Sequence, residues 1–160
     1  MTDYCLEESP PRDMDIAAWF RKEHKVTIQL AQCLRGHVCS IPKVEVVAWL
    51  DGLRHHFGRF RVHLKNQMRA EEMDGFMKPV LEERPTLARE VDNIKREHAE
   101  LSHWLDQILS ELVELKCDEE LLIEDACQRI DHLLTAVRHH QEREELLVTF
   151  AFSQDLAAHD

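Results

Sequence analysis

Four stretches of the chain place apolar residues at alternating steps of three and four, the spacing that keeps one face of an α-helix turned toward a partner. The first stripe runs Ala17, Phe20, His24, Thr27, Ala31, Leu34 and Val38, and the second Val46, Leu50, Leu53, Phe57, Phe60, Leu64, Gln67 and Glu71. The third is Leu87, Val91, Ile94, His98, Leu101, Leu105, Ile108, Leu112 and Leu115, and the fourth Ile123, Ala126, Ile130, Leu133, Val137, His140, Glu144, Leu147 and Ala151. No strand-like alternation competes with them. The pattern predicts four helices at about 13–38, 43–73, 85–116 and 119–151, forming one all-α domain over residues 1–160. A chain of this length buries one good core.

Helix breakers fall between the stripes. Pro10 and Pro11 precede the first, Pro42 separates the first from the second, and Gly75, Pro79 and Pro85 lie between the second and third. Gly36 and Gly58 fall inside helices, at a cost of about 1 kcal/mol each against Ala. Asp118, followed by Glu119 and Glu120, reads as a cap and acidic first turn for the last helix. The segment from Met73 to Pro85 reads as a break or short helical turn closing one end of the bundle, with Phe76 placed to gate it. Met68, Met73 and Met77 read as gap-filling core. Trp19, Trp49 and Trp104 each stand one residue before a core position, where packing within the chain is the default reading and a homodimer interface the sharper one.

A formal net charge of -11 argues against general affinity for nucleic acid or anionic membranes. Arg54, His55, His56, Arg59, Arg61 and Lys65 make a locally basic face on the second helix, which reads as a solvated surface. The N-terminal stretch is acidic and polar rather than signal-like, and no apolar run reaches transmembrane length, so the expectation is a cytoplasmic protein. The five cysteines are odd in number and contain no C-x-x-C pair, which suggests neither a disulfide framework nor a thiolate zinc site. Small buried side chains are their ordinary use.

The chemistry lies where the stripes turn polar. His24, Glu71, His98, His140 and Glu144 occupy positions a bundle normally fills with Leu, Ile or Val. An unpaired ionisable group costs several kcal/mol to bury, so five facing one core need a common partner, of which a metal centre is the simplest. A hydrogen-bonded His–Glu network without metal is the alternative. The remaining histidines, His37, His55, His56, His103, His132, His139 and His159, read as surface residues.

His140 and Glu144 form a His-x-x-x-Glu motif late in the last helix, preceded by single inward His on the first and third helices and by Glu71 near the end of the second. This order resembles the hemerythrin family, in its bacterial hemerythrin-like (HHE cation-binding) branch, over roughly residues 16 to 152. The resemblance implies an antiparallel up-down-up-down four-helix bundle holding non-haem iron, usually two ions bridged by two carboxylates. By position Glu71 and Glu144 would be the bridges and His24, His98 and His140 the terminal ligands. The chain departs from the pattern twice. Gln67 stands where the family's second helix carries His, and a Gln carbonyl is a weak ligand, so it is taken as a poor member of the metal set, with one subsite in doubt. Ser102 stands where animal oxygen carriers place a further His, and His103 is rotated about 100° away from it. His63 lies eight residues before Glu71, roughly 12 Å along the helix, and is read as a flank position. A ferritin-like di-iron centre would need Glu-x-x-His on two helices, and the only such spacing, Glu100 to His103, is off the stripe.

Three functions are compatible with these residues. One is a non-haem iron protein that senses, carries or stores a small ligand such as O2 or NO, the favoured reading. A second is an iron redox enzyme reacting with peroxide or oxygen. The third is a helical interaction module whose metal site is degraded or absent.

Overall fold

The computed structural model describes residues 16–73 and 75–152. Four long helices, α1 (Ile16–Val38), α2 (Val46–Met73), α4 (Ala88–Glu114) and α5 (Glu120–Phe152), are joined by short connections. A short helix, α3 (Met77–Glu83), and a 3-10 turn (Pro85–Leu87) lie between α2 and α4. No strand occurs among the described residues. Each long helix borders two others: α1 packs on α2 and α5, and α4 packs on the same two.

Cross-helix contacts fix the directions. Thr27 meets Gln67 and His37 meets Trp49 between α1 and α2, while Arg54 reaches Leu112 and Lys65 reaches Asp106 between α2 and α4. Between α4 and α5, Glu97 meets His140 and Glu111 meets Arg129. Between α1 and α5, His24 faces Glu144 and Arg35 faces Asp131. Residue numbers run oppositely in every pair, so the bundle is antiparallel, up-down-up-down.

The stripes become the interior. All nine members of the fourth are buried, and in the other three only Ala17, Ala31, Val46, Leu87 and Leu115 are half-buried. Helix α5 also buries Cys127, Leu134, Gln141 and Val148, a second row at seven-residue spacing, because it packs against α1, α3 and α4 together. The apolar core divides in two. One cluster extends from Leu34, Phe57 and Leu105 to Val137, and a smaller one joins Trp19, Phe20, Phe76, Met77, Val80, Val91, Ile94, Leu147, Val148 and Ala151. Between them, on all four long helices, lie the buried polar residues His24, Thr27, Gln67, Glu71, His98, His140 and Glu144.

Helix α3 is the short helical turn anticipated between Met73 and Pro85. Pro79 is tolerated in its first turn, where no intrahelical donor is needed, and Phe76, Met77 and Val80 bury against the smaller cluster. Asp74 lies outside the described residues. Gly75 is required by close approach: a Cβ there would stand 2.5 Å from the Cα of Glu71. Gly52, a third helical glycine that the breaker reading passes over, lies under the His37 ring, whose Cε1 would be 2.8 Å from an added Cβ.

Several surface readings are corrected. Met73 is 68 % exposed rather than core, whereas Met68 and Met77 are buried. The basic face of α2 tethers α2 to α4: Arg61 and Lys65 both bond Asp106 Oδ1, at 2.7 and 2.6 Å, and Arg54 donates to the carbonyls of Leu112 (2.8 Å) and Leu115 (2.7 Å) at the end of α4. Those carbonyls have no partner within the helix, so a guanidinium there serves as a cap. His37 is held between helices, stacked on Trp49 and bonded to its carbonyl oxygen at 2.8 Å. Cys127 is buried as anticipated, but Cys33, Cys39 and Cys117 are exposed, and Cys5 and His159 lie outside the described residues. Trp19 joins the smaller cluster, and Trp49 and Trp104 pack against the larger.

Candidate metal centre

Each long helix delivers its polar residues to one layer because the stripe places them on the inward face. From α1 comes His24, from α2 Glu71, from α4 His98, and from α5 His140 and Glu144, one turn apart. All five are at most 6 % exposed. The imidazole Nε2 atoms of His24, His98 and His140, with Glu71 Oε2 and both oxygens of Glu144, are buried without a hydrogen-bond partner. Orphaned donors and acceptors are rare in native interiors, and six converging in one layer need a common explanation.

The two carboxylates span the layer. Glu71 presents Oε1 to His24 Nε2 at 3.8 Å and Oε2 to His98 Nε2 at 3.4 Å. Glu144 presents Oε1 to His24 at 3.7 Å and Oε2 to His98 at 3.5 Å, and its Oε1 is also 2.8 Å from His140 Nε2. The His98 and His140 rings lie edge to face with centroids 4.9 Å apart. Two groups of potential ligand atoms, each within 4.8 Å, result: His98, His140 and Glu144, and His24, Glu71 and Glu144. They share Glu144. Imidazole with carboxylate is a donor set for iron, manganese, zinc or copper and not for calcium or magnesium, so the residues present fit a transition-metal cation.

Two residues that the stripes do not reveal complete the arrangement. Glu97 Oε2 accepts from His140 Nδ1 at 2.5 Å, and Glu72 Oε1 accepts from His98 Nδ1 at 3.1 Å. A carboxylate on Nδ1 puts the imidazole proton there and leaves Nε2 as a lone-pair donor pointing inward, the usual support of a metal-bound histidine. Glu97 is held in turn by Arg143 at 2.8 Å. The available signal was adjacency, since Glu97 precedes His98 and Glu72 follows Glu71.

Gln67 lies in the same layer, 3 % exposed, with its amide occupied: it accepts from the Thr27 hydroxyl and donates to Glu71 Oε1 at 2.7 Å. His63 sits apart from the cluster, its Nε2 3.4 Å from the Glu23 carbonyl oxygen. Phe20 packs on His24 with ring centroids 3.8 Å apart and meets Phe76 edge to face at 5.2 Å. These rings wall the His24 side. On the His98 side, a groove of about 380 Å³ between α2 and α4 is lined by Lys65, Arg69, Glu72, Lys95, His98 and Ser102.

Without a cation the layer keeps protons. Burial raises the Glu144 carboxyl well above the usual range and the charge of Glu71 adds to the rise. Burial also opposes ionisation of Glu71, but the neighbouring Glu144, His24 and His98 hold it below the usual range. Burial lowers His98, yet Glu144 and Glu71 outweigh that and bring it to about 9. Both shifts favour the protonated forms of Glu144 and His98 when no cation is bound, and a bound cation would compete with those protons.

The family model described as Hemerythrin HHE cation binding domain matches residues 15–150. No curated protein and no solved structure matches the chain.

Proposed function

Because the chain belongs to the hemerythrin family of HHE cation-binding domains, we propose that it is a non-haem iron protein that senses, carries or stores a small ligand such as O2 or NO. The observation that carries this reading is the convergence of three unpartnered imidazole nitrogens and three unpartnered carboxylate oxygens on one buried layer. In this reading His24, His98 and His140 would each hold one ion, and Glu71 and Glu144, each facing both sides of the layer, would be shared between two. Iron when bound supplies an electron-rich centre at which a diatomic ligand binds reversibly.

The chain's own residues do the rest. Glu97 and Glu72 keep His140 and His98 in the tautomer that donates from Nε2. Phe20 and Phe76 keep water from the His24 side, and the groove beside His98 offers a small molecule a route to the layer. Ser102 lines that groove and leaves space where a larger imidazole would stand. No described helix is long and apolar enough to cross a membrane. A cytoplasmic setting fits the exposed free thiols of Cys33, Cys39 and Cys117, a state that a reducing compartment maintains.

The test is metal per chain after anaerobic ferrous loading and desalting, followed by visible spectra on adding NO or air. Two irons and a new ligand-dependent band support the reading. One iron removes the bridged pair, and none moves the assignment to a metal-free helical interaction module.

A further inference from the structure

The position that departs from the family's ligand pattern has a defined role in the buried layer. Thr27, Gln67 and Glu71 are 0 %, 3 % and 1 % exposed, so each polar atom among them must find its partner inside. A carboxylate only accepts, so the Gln67 atom at 2.7 Å from Glu71 Oε1 is the amide nitrogen. The carbonyl oxygen, the one atom of Gln67 able to ligate a cation, then faces the other way and accepts from Thr27 Oγ1. Turning it toward the layer would bring two oxygens together at Glu71, while the Thr27 hydroxyl, which also has the Glu23 carbonyl oxygen at 3.3 Å, gains nothing that offsets this.

The consequence is a division of the layer. Glu71 Oε1 already accepts from Gln67, whereas Glu71 Oε2 is unpartnered and faces His98. The His98 side therefore has the Nε2 atoms of His98 and His140, Glu71 Oε2 and the Glu144 carboxylate. The other side has His24 Nε2, Glu144 Oε1 and an oxygen of Glu71 that it shares with the amide. Phe20 and Phe76 line that side and supply no further donor.

We infer that Gln67 is a positioning residue and not a ligand: the Thr27–Gln67–Glu71 chain pins one oxygen of Glu71, so the centre takes one cation tightly beside His98 and His140 and a second more weakly beside His24. This rests on the cation-centre reading above. The chain also acts as a gauge of position, because Thr27 affects the tight subsite only through Gln67 and Glu71.

The experiment is a stepwise titration of the metal-free full chain with Co2+, followed by calorimetry and by the visible ligand-field spectrum. Wild type should show two steps at least about tenfold apart. Thr27→Val should weaken the tight step by about 10- to 100-fold and alter its spectrum, the usual effect of losing an outer hydrogen-bond partner. Thr27→Ser, which keeps the hydroxyl, should restore wild-type binding. Gln67→His should tighten the weak step by adding an imidazole and, because it removes the amide that pins Glu71, weaken the tight one, bringing the two within about threefold. Two equal steps in wild type, or a tight step unmoved by Thr27→Val, would overturn the inference while leaving the cation centre standing. No Co2+ bound by wild type in either step would sink the cation centre and the inference with it.

Discussion

Replacing Glu97 with alanine separates support of a metal ligand from support of the fold. Glu97 accepts from His140 Nδ1 at 2.5 Å, and its other charged contact among the described residues is Arg143, which is 52 % exposed. A partly exposed ion pair of that kind contributes at most about 1 kcal/mol. Removing the carboxylate also leaves the buried His140 Nδ1–H without its acceptor, so the metal-free protein should lose about 1 to 3 kcal/mol. Its effect on binding comes in addition: without the carboxylate, His140 no longer has its proton held at Nδ1, and loss of such a partner weakens metal affinity by about 10- to 100-fold. That is about 1.4 to 2.7 kcal/mol. Glu97→Gln, whose amide oxygen still accepts, should fall between alanine and wild type. Competition against a chromogenic chelator gives the affinities, and urea denaturation of the metal-free protein gives the stabilities. A variant that binds within twofold of wild type would refute the reasoning.

The pH dependence comes from His98. Its folded pKa, about 9, lies above the unfolded value of 6.5, so it contributes stability that is complete below pH 6.5 and lost as pH rises toward 9, about 3 kcal/mol in all. Urea midpoints of the metal-free protein should fall across that window, while cation affinity, which requires the proton to leave, should rise across it. Arg54→Ala should remove about 1.5 to 3 kcal/mol by stripping the charged donor from the Leu112 and Leu115 carbonyls, measured as a lower urea midpoint at unchanged slope. Gly58→Ala, with nothing within 4 Å of the new Cβ, should raise stability by about 0.5 to 1 kcal/mol, and Gly75→Ala should lower it because the Cβ meets Glu71 backbone.

The bundle was legible because burying one face of a helix imposes a period that few sequences meet by chance, and Leu50, Leu53, Phe57 and Phe60 all lie where that period puts them. His24, Glu71, His98, His140 and Glu144 stood out by interrupting it. Glu97 and Glu72 did not, since they lie at the seams between helices, partly exposed, and on sequence alone look like any surface carboxylate. Arg54, Arg61 and Lys65 were read as solvated for the same reason, because a cation near a seam is chosen by its partner on another helix. Met73 misled because, although it is the last residue of α2, it stands two positions past Glu71, the last member of the stripe, and so turns away from the interior face.

The division of the apolar interior has a consequence for local opening. The smaller cluster, built from α3 and the adjoining ends of the long helices, meets the larger one only across a polar layer that adds little hydrophobic cohesion. That end should behave as its own cooperative unit, opening below the global free energy when the layer is held only by protons. Cations held between them by residues of all four long helices would fasten it to the rest. Amide exchange at Val80 and Leu81 should then slow on metal binding far more than at Leu53 or Ile130, which makes the far end of the bundle a recorder of whether the centre is filled.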